Sequence, residues 1–375
     1  MSIIYFDSAA TAIPLPEAVE SAKNAIDIYG NPSSVHSAGL TAKKVIDDAR
    51  KKVANSLFCK PEEIIFTGGG SESNNQAIIG LAKLRARRSK RIITTDSEHP
   101  SVSNPINALE GEGYEIIRIS TKDGVLDIET MEKELSLGAG FVSIMLVNNE
   151  TGAKHDIASV RKAIDRSGSG ALLHCDAVQG FLKTADRKEI AKNCDCASIS
   201  AHKIGGIKGV GALFIKNGLK MPAFIKGGGQ ENGFRSGTEN IIGISAFGTA
   251  CEAFNSDKLA RISEIYSHLV SILPDYVDNI KLNIPKNHID TILSVSILGV
   301  RSEVMLNALN AEGICVSAGS ACSARKGPSG ALTAFGLSKE EIESTVRISI
   351  GAHNTKEEAE YLAQKIGESA KRLRR

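Results

Sequence analysis

The sequence predicts an α/β fold: a large α/β/α domain with a mainly parallel sheet, followed by a smaller α+β domain. Three observations carry that expectation. From Ile64 to Ile215, short apolar runs alternate with helical patterns or loops, the layering of a parallel sheet. Glycine-rich and polar residues collect directly after those runs, at the strand ends where open parallel sheets bind ligands. After about Phe254 the composition shifts to a long helical pattern and more widely spaced strands.

Taken in order, a first strand is expected at Ile3–Phe6. Val19, Ala22, Ile26 and Tyr29 then recur at helical spacing, as do Leu40, Ile46, Ala49, Val53 and Leu57. Strands follow at Ile64–Thr67, Ile92–Thr95, Tyr114–Ile119, Phe141–Val147, Ala171–Cys175, Cys196–Ser200 and Gly211–Ile215. The second part offers a helix over Lys258–Leu273, a strand at Ile292–Leu298 and a helix through Val304–Leu309. Further strands at Ile314–Ser317 and Thr345–Ile350 precede a last helix. No repeat and no low-complexity linker interrupts the chain.

The 375 residues, 42% hydrophobic and 23% charged, are enough to bury a large core without staples. A formal net charge of +2 gives no reason to expect a nucleic-acid or membrane partner. The two basic runs, Lys83–Arg91 and Lys371–Arg375, lie near helix ends, where cations complement the dipole. The N-terminus has no signal-peptide pattern and no apolar stretch approaches a membrane span, so neither export nor insertion is expected. Seven cysteines without a CxxC pair argue against a disulfide framework and for a reducing, cytoplasmic location.

Several strand ends carry candidate chemistry. Gly68-Gly69-Gly70-Ser71 links a strand to a helix start, where unpaired N–H groups and the dipole favour a small phosphate; such turns also serve as plain caps. His99 follows the Ile92 strand and can stack on a ring or shuttle protons, or simply hydrogen-bond. Asn148-Asn149 ends another strand, as a turn or as ligands for a hydroxyl or carboxylate. Asp176 ends the next, as a cap or as the partner of a protonated pyridine nitrogen. Lys203, at a strand end among Gly205, Gly206, Gly209 and Gly211, is a candidate Schiff-base lysine if burial lowers its pKa; its plain reading is a snorkelling surface residue. Phosphate cradle, carboxylate and lysine in this order fit pyridoxal phosphate; no metal is expected. Thr238 lies in a second glycine-rich polar stretch, either a surface loop or, if the site sits at a dimer seam, a contact to a partner's phosphate. Cys322 sits in a Gly/Ser-rich loop with Arg325 nearby, the setting of a reactive thiol, whereas Cys59, Cys175, Cys194, Cys196, Cys251 and Cys315 read as buried small hydrophobes. Arg347 is flanked by apolar residues, so its guanidinium needs a carboxylate, either a substrate's or a structural one.

The segments YFDSAAT, GNPSSVH, FTGGGSES, SEHPS, VNNETG, HCDAVQ, SISAHKIGGIKGVG, RSGT, SAGSAC and VRISIG run in order from Tyr5 to Gly351. Together they resemble the NifS/IscS-like cysteine desulfurases, pyridoxal-phosphate enzymes of the class V aminotransferase group. The resemblance implies a fold type I homodimer, with a large domain near residues 14–255 and a small domain of 1–13 with 256–375. It implies Lys203 as the Schiff-base lysine, Asp176 as the pyridinium partner, His99 as the ring-stacking acid–base group and Gln179 as a ring-oxygen contact. Ser71, Ser200 and His202, with Thr238 from the other subunit, would hold the phosphate. Asn149, which would also contact the cofactor, and Arg347 would bind the carboxylate of L-cysteine. Cys322 would take the sulfur as a persulfide, leave alanine, and pass sulfur to an acceptor protein for iron–sulfur cluster assembly or tRNA thiolation. The loop after Cys322 reads SARKGPSGAL, where relatives have Ser/Thr-Ser-Gly and a histidine or tyrosine near Gly330. That departure, and a chain stopping at its last helix without a scaffold-docking tail, point to a tRNA-thiolation protein rather than a scaffold. The competing activities are selenocysteine lysis and another class V aminotransferase-type reaction; a catalytically quiet binding subunit is the third reading, opposed by the retained Lys203, Asp176, His99, Arg347 and Cys322.

Overall fold

The computed structural model of the chain describes residues 3–184, 187–318 and 329–374. Its strands are β1 (Ile4–Tyr5), β2 (Ile64–Thr67), β3 (Arg91–Thr95), β4 (Glu115–Ile119), β5 (Phe141–Met145), β6 (Leu172–Asp176), β7 (Cys196–Ser200), β8 (Gly211–Ile215), β9 (Ile280–Leu282), β10 (Ile292–Ile297), β11 (Ile314–Cys315), β12 (Ser317–Ala318) and β13 (Thr345–Ser349). Strands β2 to β8 form one sheet in the order β2-β8-β7-β6-β5-β3-β4. All its pairings are parallel except the two made by β8. A second, antiparallel sheet runs β12-β13-β10-β9, and β1 pairs in parallel with β11.

Strands β5, β7 and β8 are buried along their whole length, as expected of a sheet covered by helices on both faces. The two edges are protected differently. Edge strand β4 is partly exposed and carries Glu115 and Arg118, charges that discourage further pairing. Edge strand β2 is fully buried, and an ion pair satisfies its outer backbone: Arg50 Nη1 donates to Ile64 O at 2.6 Å and Phe66 N donates to Glu231 Oε2 at 2.8 Å. One apolar core runs from the large sheet through Phe6 into Val346 and Ile348 of β13; a second, around Ile78, Val102 and Phe141, fills the other face of the large sheet.

Three details differ from the sequence expectation. The helix α1 (Pro16–Ile26) does not bury the stripe Val19, Ala22, Ile26 and Tyr29; it buries Ala18 and Ala25, leaving Tyr29 90% exposed. Its partner is the helix Ile241–Ala253, approached closely enough for Ser21 Oγ to meet Ser245 Oγ at 2.7 Å, so small residues face the contact. The single strand expected over Ile314–Ser317 is two short ones, because the chain changes partner from β1 to β13 around Val316. Cys59 and Cys315 are half-buried, whereas Cys175, Cys194, Cys196 and Cys251 are buried as expected. The basic run after residue 83 is tied to neighbouring elements: Arg85 and Arg88 donate to carbonyls of Gly140, Gly170 and Ser169, and Arg91 pairs with Glu115 and Glu134. Among the described residues no helix is long and apolar enough to cross a membrane.

Candidate active site

The carboxyl ends of β2 and β7 meet at one cleft of about 620 Å³, lined by Gly68, Gly69, Gly70, Ser71, Ser200 and His202 among others. The turn after β2 explains its glycines. Gly69 caps helix α3 (Gly70–Arg85) at φ 145°, ψ −178°, a conformation reserved for glycine. A Cβ on Gly211 would lie 2.8 Å from Gly69 Cα, so the turn is drawn tight against β8. The first N–H groups of α3 have no helical acceptor. In the turn before the helix, Glu72 accepts from Gly68 N at 2.8 Å while pairing with Arg235, and Thr67 Oγ1 accepts from Gly69 N at 3.4 Å. Ser71 is exposed at this mouth. Ser200 is 2% exposed, and its Oγ has no hydrogen-bond partner among the described residues. His202 Nδ1 lies 3.1 Å from Thr11 Oγ1. Burial first, then the cations Lys203, Lys183 and Lys208, push its pKa down to about 4, so it is neutral.

Asp176, the last residue of β6, is 5% exposed. Its Oδ2 accepts from Asn74 Nδ2 at 2.8 Å and its Oδ1 from Val178 N at 3.0 Å. Burial raises its pKa, opposed by these bonds and by His99 and Lys203. His99 caps helix α4 (Pro100–Gly111), its Nδ1 accepting from Ser101 N at 3.1 Å, which leaves Nε2 as the protonated nitrogen. Its pKa is lowered by desolvation, with Asp176 opposing and Lys203 adding. The adjacent Glu98 carboxyl accepts from Thr95 Oγ1 and Met145 N, and burial pushes its pKa up to about 8.

Lys203 closes a short 3-10 turn after β7. Its Nζ donates to the carbonyls of Ala9 at 2.8 Å and Ala10 at 2.7 Å, in the segment after β1. Gln179 Nε2 donates to the same Ala9 oxygen at 2.7 Å. Arg347, on β13, reaches this region from the second sheet. It donates to Asp7 Oδ1 and to Asn149 O, both at 2.9 Å, and its buried Nε has no partner among the described residues. The two asparagines therefore divide their work. Asn148 is buried and holds the turn by accepting from Glu150 N and Thr151 N, while Asn149 presents its backbone oxygen to Arg347.

His99, Asp176 and Lys203, separated by 77 and 27 residues in sequence, thus feel one another's charge. Gln179 and Arg347 join them through the Asp7–Ala10 segment. Thr238 is exposed and does not line the phosphate-side cleft. Cys322 lies outside the described residues. Sequence reasoning did not assign roles to Asn74, Asp7 or Lys183. Asp7 stands inside a segment that carries the resemblance and Asn74 directly follows one, which was the available signal; Lys183 had none. Among the described residues no cluster of His, Cys, Asp and Glu could hold a metal.

These residues fit pyridoxal phosphate. The unpartnered Ser200 Oγ and the glycine-lined helix start suit a phosphate, the buried Asp176 carboxylate suits a protonated ring nitrogen, and Lys203 supplies the amine for its aldehyde. Fold and site together define a fold type I pyridoxal-phosphate enzyme. The chain belongs to the aminotransferase class-V family, whose pattern matches residues 4–362. It is 36% identical to the cysteine desulfurase IscS of Dictyoglomus turgidum over 381 residues, covering 99% of this chain and 95% of that protein. A solved NifS-like protein superposes with a TM-score of 0.89 at 33% identity, covering 98% of both chains. SspA, solved in complex with cysteine, superposes at 0.81 with 32% identity, over 94% of this chain and all of that one (100%).

Proposed function

We propose that this protein is a cysteine desulfurase: L-cysteine and the thiol of Cys322 give L-alanine and a persulfide on Cys322. The observation that carries this reading is the electrostatic contact of His99, Asp176 and Lys203 with one another, with the Arg347 guanidinium delivered from the second sheet to the Asp7–Ala10 segment that also holds Lys203. Bound pyridoxal phosphate supplies an electron sink for the substrate's α-carbon. Asp176 holds a compensating negative charge at the ring nitrogen, in a site where burial makes an unpaired carboxylate costly. Ser71, Ser200 and the neutral His202 hold the phosphate. His99, fixed by its Ser101 bond, would stack on the ring and hold a proton at Nε2. Lys203 moves protons at the substrate carbon, released from the two carbonyls that hold it. Arg347 and Asn149 orient the substrate carboxylate.

Cys322 is the sulfur carrier, and the acceptor is a second protein that delivers sulfur to iron–sulfur clusters or to tRNA. The unit is a homodimer with Thr238 facing the partner's phosphate; the exposed Ile26, Tyr29, Val35 and Leu40, grouped on α1 and the chain after it, support a self-association surface. We assign residues 14–255 to a cofactor domain and 1–13 with 256–375 to the other. Free cysteines among the described residues agree with a cytoplasmic enzyme.

The test supplies L-cysteine and a reductant to wild type and Cys322→Ala and measures alanine and sulfide. Equimolar products from wild type, lost in the variant while the cofactor's visible band remains, are expected. Turnover that survives the substitution would replace this reading with a lyase or transaminase reaction.

A further inference from the structure

Lys183 has no part in the reaction described above, yet it lies beneath the same site. It is 9% exposed, and among the described residues its ammonium makes one hydrogen bond, to Gln179 Oε1 at 3.2 Å. Its charged neighbours are the cations Lys203 and Arg347; burial first, then these two, push its pKa down to about 7. A buried cation among cations is a poor device for stability. The preceding Leu182 has φ 62°, a left-handed conformation that leucine rarely adopts, and Lys183 N closes the turn on Gly180 O at 3.0 Å. Strain and a poorly solvated charge, kept side by side, mark a place where structure serves function.

The hydrogen bonds show what that service is. Lysine donates and never accepts, so the end of the Gln179 amide facing it is the oxygen. The other end, Nε2, donates to Ala9 O at 2.7 Å, an oxygen that also receives Lys203 Nζ at 2.8 Å. The amide is clamped at both ends and keeps one Nε2 hydrogen for the site. We propose that Lys183 is a positioning residue: it locks the Gln179 amide so that its Nε2 presents the donor to the cofactor's ring oxygen. The inference rests on the reading of Gln179 as a ring contact. With the lysine gone, Oε1 is left buried without a donor and the amide is held at one end only.

The test uses full-length Lys183→Met, which keeps the chain's length and removes the donor. Its pyridoxal-phosphate dissociation constant is expected to rise about ten-fold, the equivalent of one lost hydrogen bond. The visible band of the bound cofactor should shift to the position found in Gln179→Ala. The double variant should bind no more weakly than Gln179→Ala alone, since both act through one amide. Lys183→Gln, which retains an N–H donor, should return the band toward its wild-type position. Cofactor-free Lys183→Met should melt no lower than cofactor-free wild type. Wild-type affinity and band position in Lys183→Met, or losses that add to those of Gln179→Ala, would overturn the proposal. A lowered melting temperature with an unshifted band would also overturn it, by making Lys183 structural. Wild type that takes up no pyridoxal phosphate would instead sink the reading of the site itself.

Discussion

Among the described residues, the arginine–carboxylate pairs Arg50–Glu231 and Arg347–Asp7 each have one buried partner, and they are built to different ends. Arg50 and Glu231 meet through two bonds of 2.7 Å, Nη1 to Oε2 and Nη2 to Oε1. Their remaining capacity goes to the outer backbone of β2, and Arg50 also lies over the Phe66 ring at 4.7 Å. Arg347 and Asp7 share one bond of 2.9 Å; a second Arg347 nitrogen goes to a carbonyl, and among the described residues Nε has no partner. The first pair is closed and holds an edge strand. The second keeps donors in hand, the state a guanidinium needs if a substrate carboxylate is to be its next partner. A buried ion pair therefore reads as structural or functional by the count of its unused bonds, more than by its burial.

Removing one half of the closed pair has the largest expected effect. Glu231→Ala leaves Arg50 as a partly buried unpaired charge and uncovers the amide of Phe66, at a cost of about 3–5 kcal/mol in denaturant unfolding. Turnover per folded molecule should hardly move; a stability loss under about 1 kcal/mol would break the distinction drawn here. Arg347→Lys tests the open pair from the other side. Lysine keeps the charge but loses the planar fork, so kcat/KM for L-cysteine should fall roughly 10- to 100-fold. Its unfolding free energy should stay within about 1 kcal/mol of wild type. A variant that is unstable yet fully active per folded molecule would move Arg347 into the structural class.

The smallest effect concerns Glu150, beside the open pair. Its Oε2 accepts from Ser329 Oγ at 2.6 Å, and burial pushes its pKa up to about 7, opposed by Ser329 and Arg347. A carboxyl whose folded pKa lies above its unfolded one contributes stability that is present at low pH and lost as pH rises through the folded value. Between about pH 4.5 and 7, Glu150 therefore makes stability decline with pH. Glu150→Gln should flatten that part of the stability–pH profile, as read by urea midpoints across the range. An unchanged slope would show that the carboxyl is compensated elsewhere.

Much of this was legible in the sequence. Each strand of the large sheet lies within one or two residues of an apolar run, because a strand buried on both faces must be apolar or small throughout. The glycines before Ser71 announced a tight turn onto a helix start, and Gly69 adopts a backbone conformation that requires one. Asp176 and Lys203 stood at strand ends, where parallel sheets expose functional groups. The face of α1 misled because periodicity reports which residues are apolar, whereas packing against the helix Ile241–Ala253 selected the small ones.

The sequence by itself thus determined the layering of the sheet, the order of phosphate cradle, carboxylate and lysine, and the family. Tertiary structure decided the pairings. It brought Asn74 to Asp176, Asp7 and Asn149 to Arg347, and Lys183 to the amide that shares Ala9 O with Lys203. The reason is physical: local spacing fixes which side chains share a face, while a hydrogen bond between residues 102 or 340 positions apart depends on how whole elements pack.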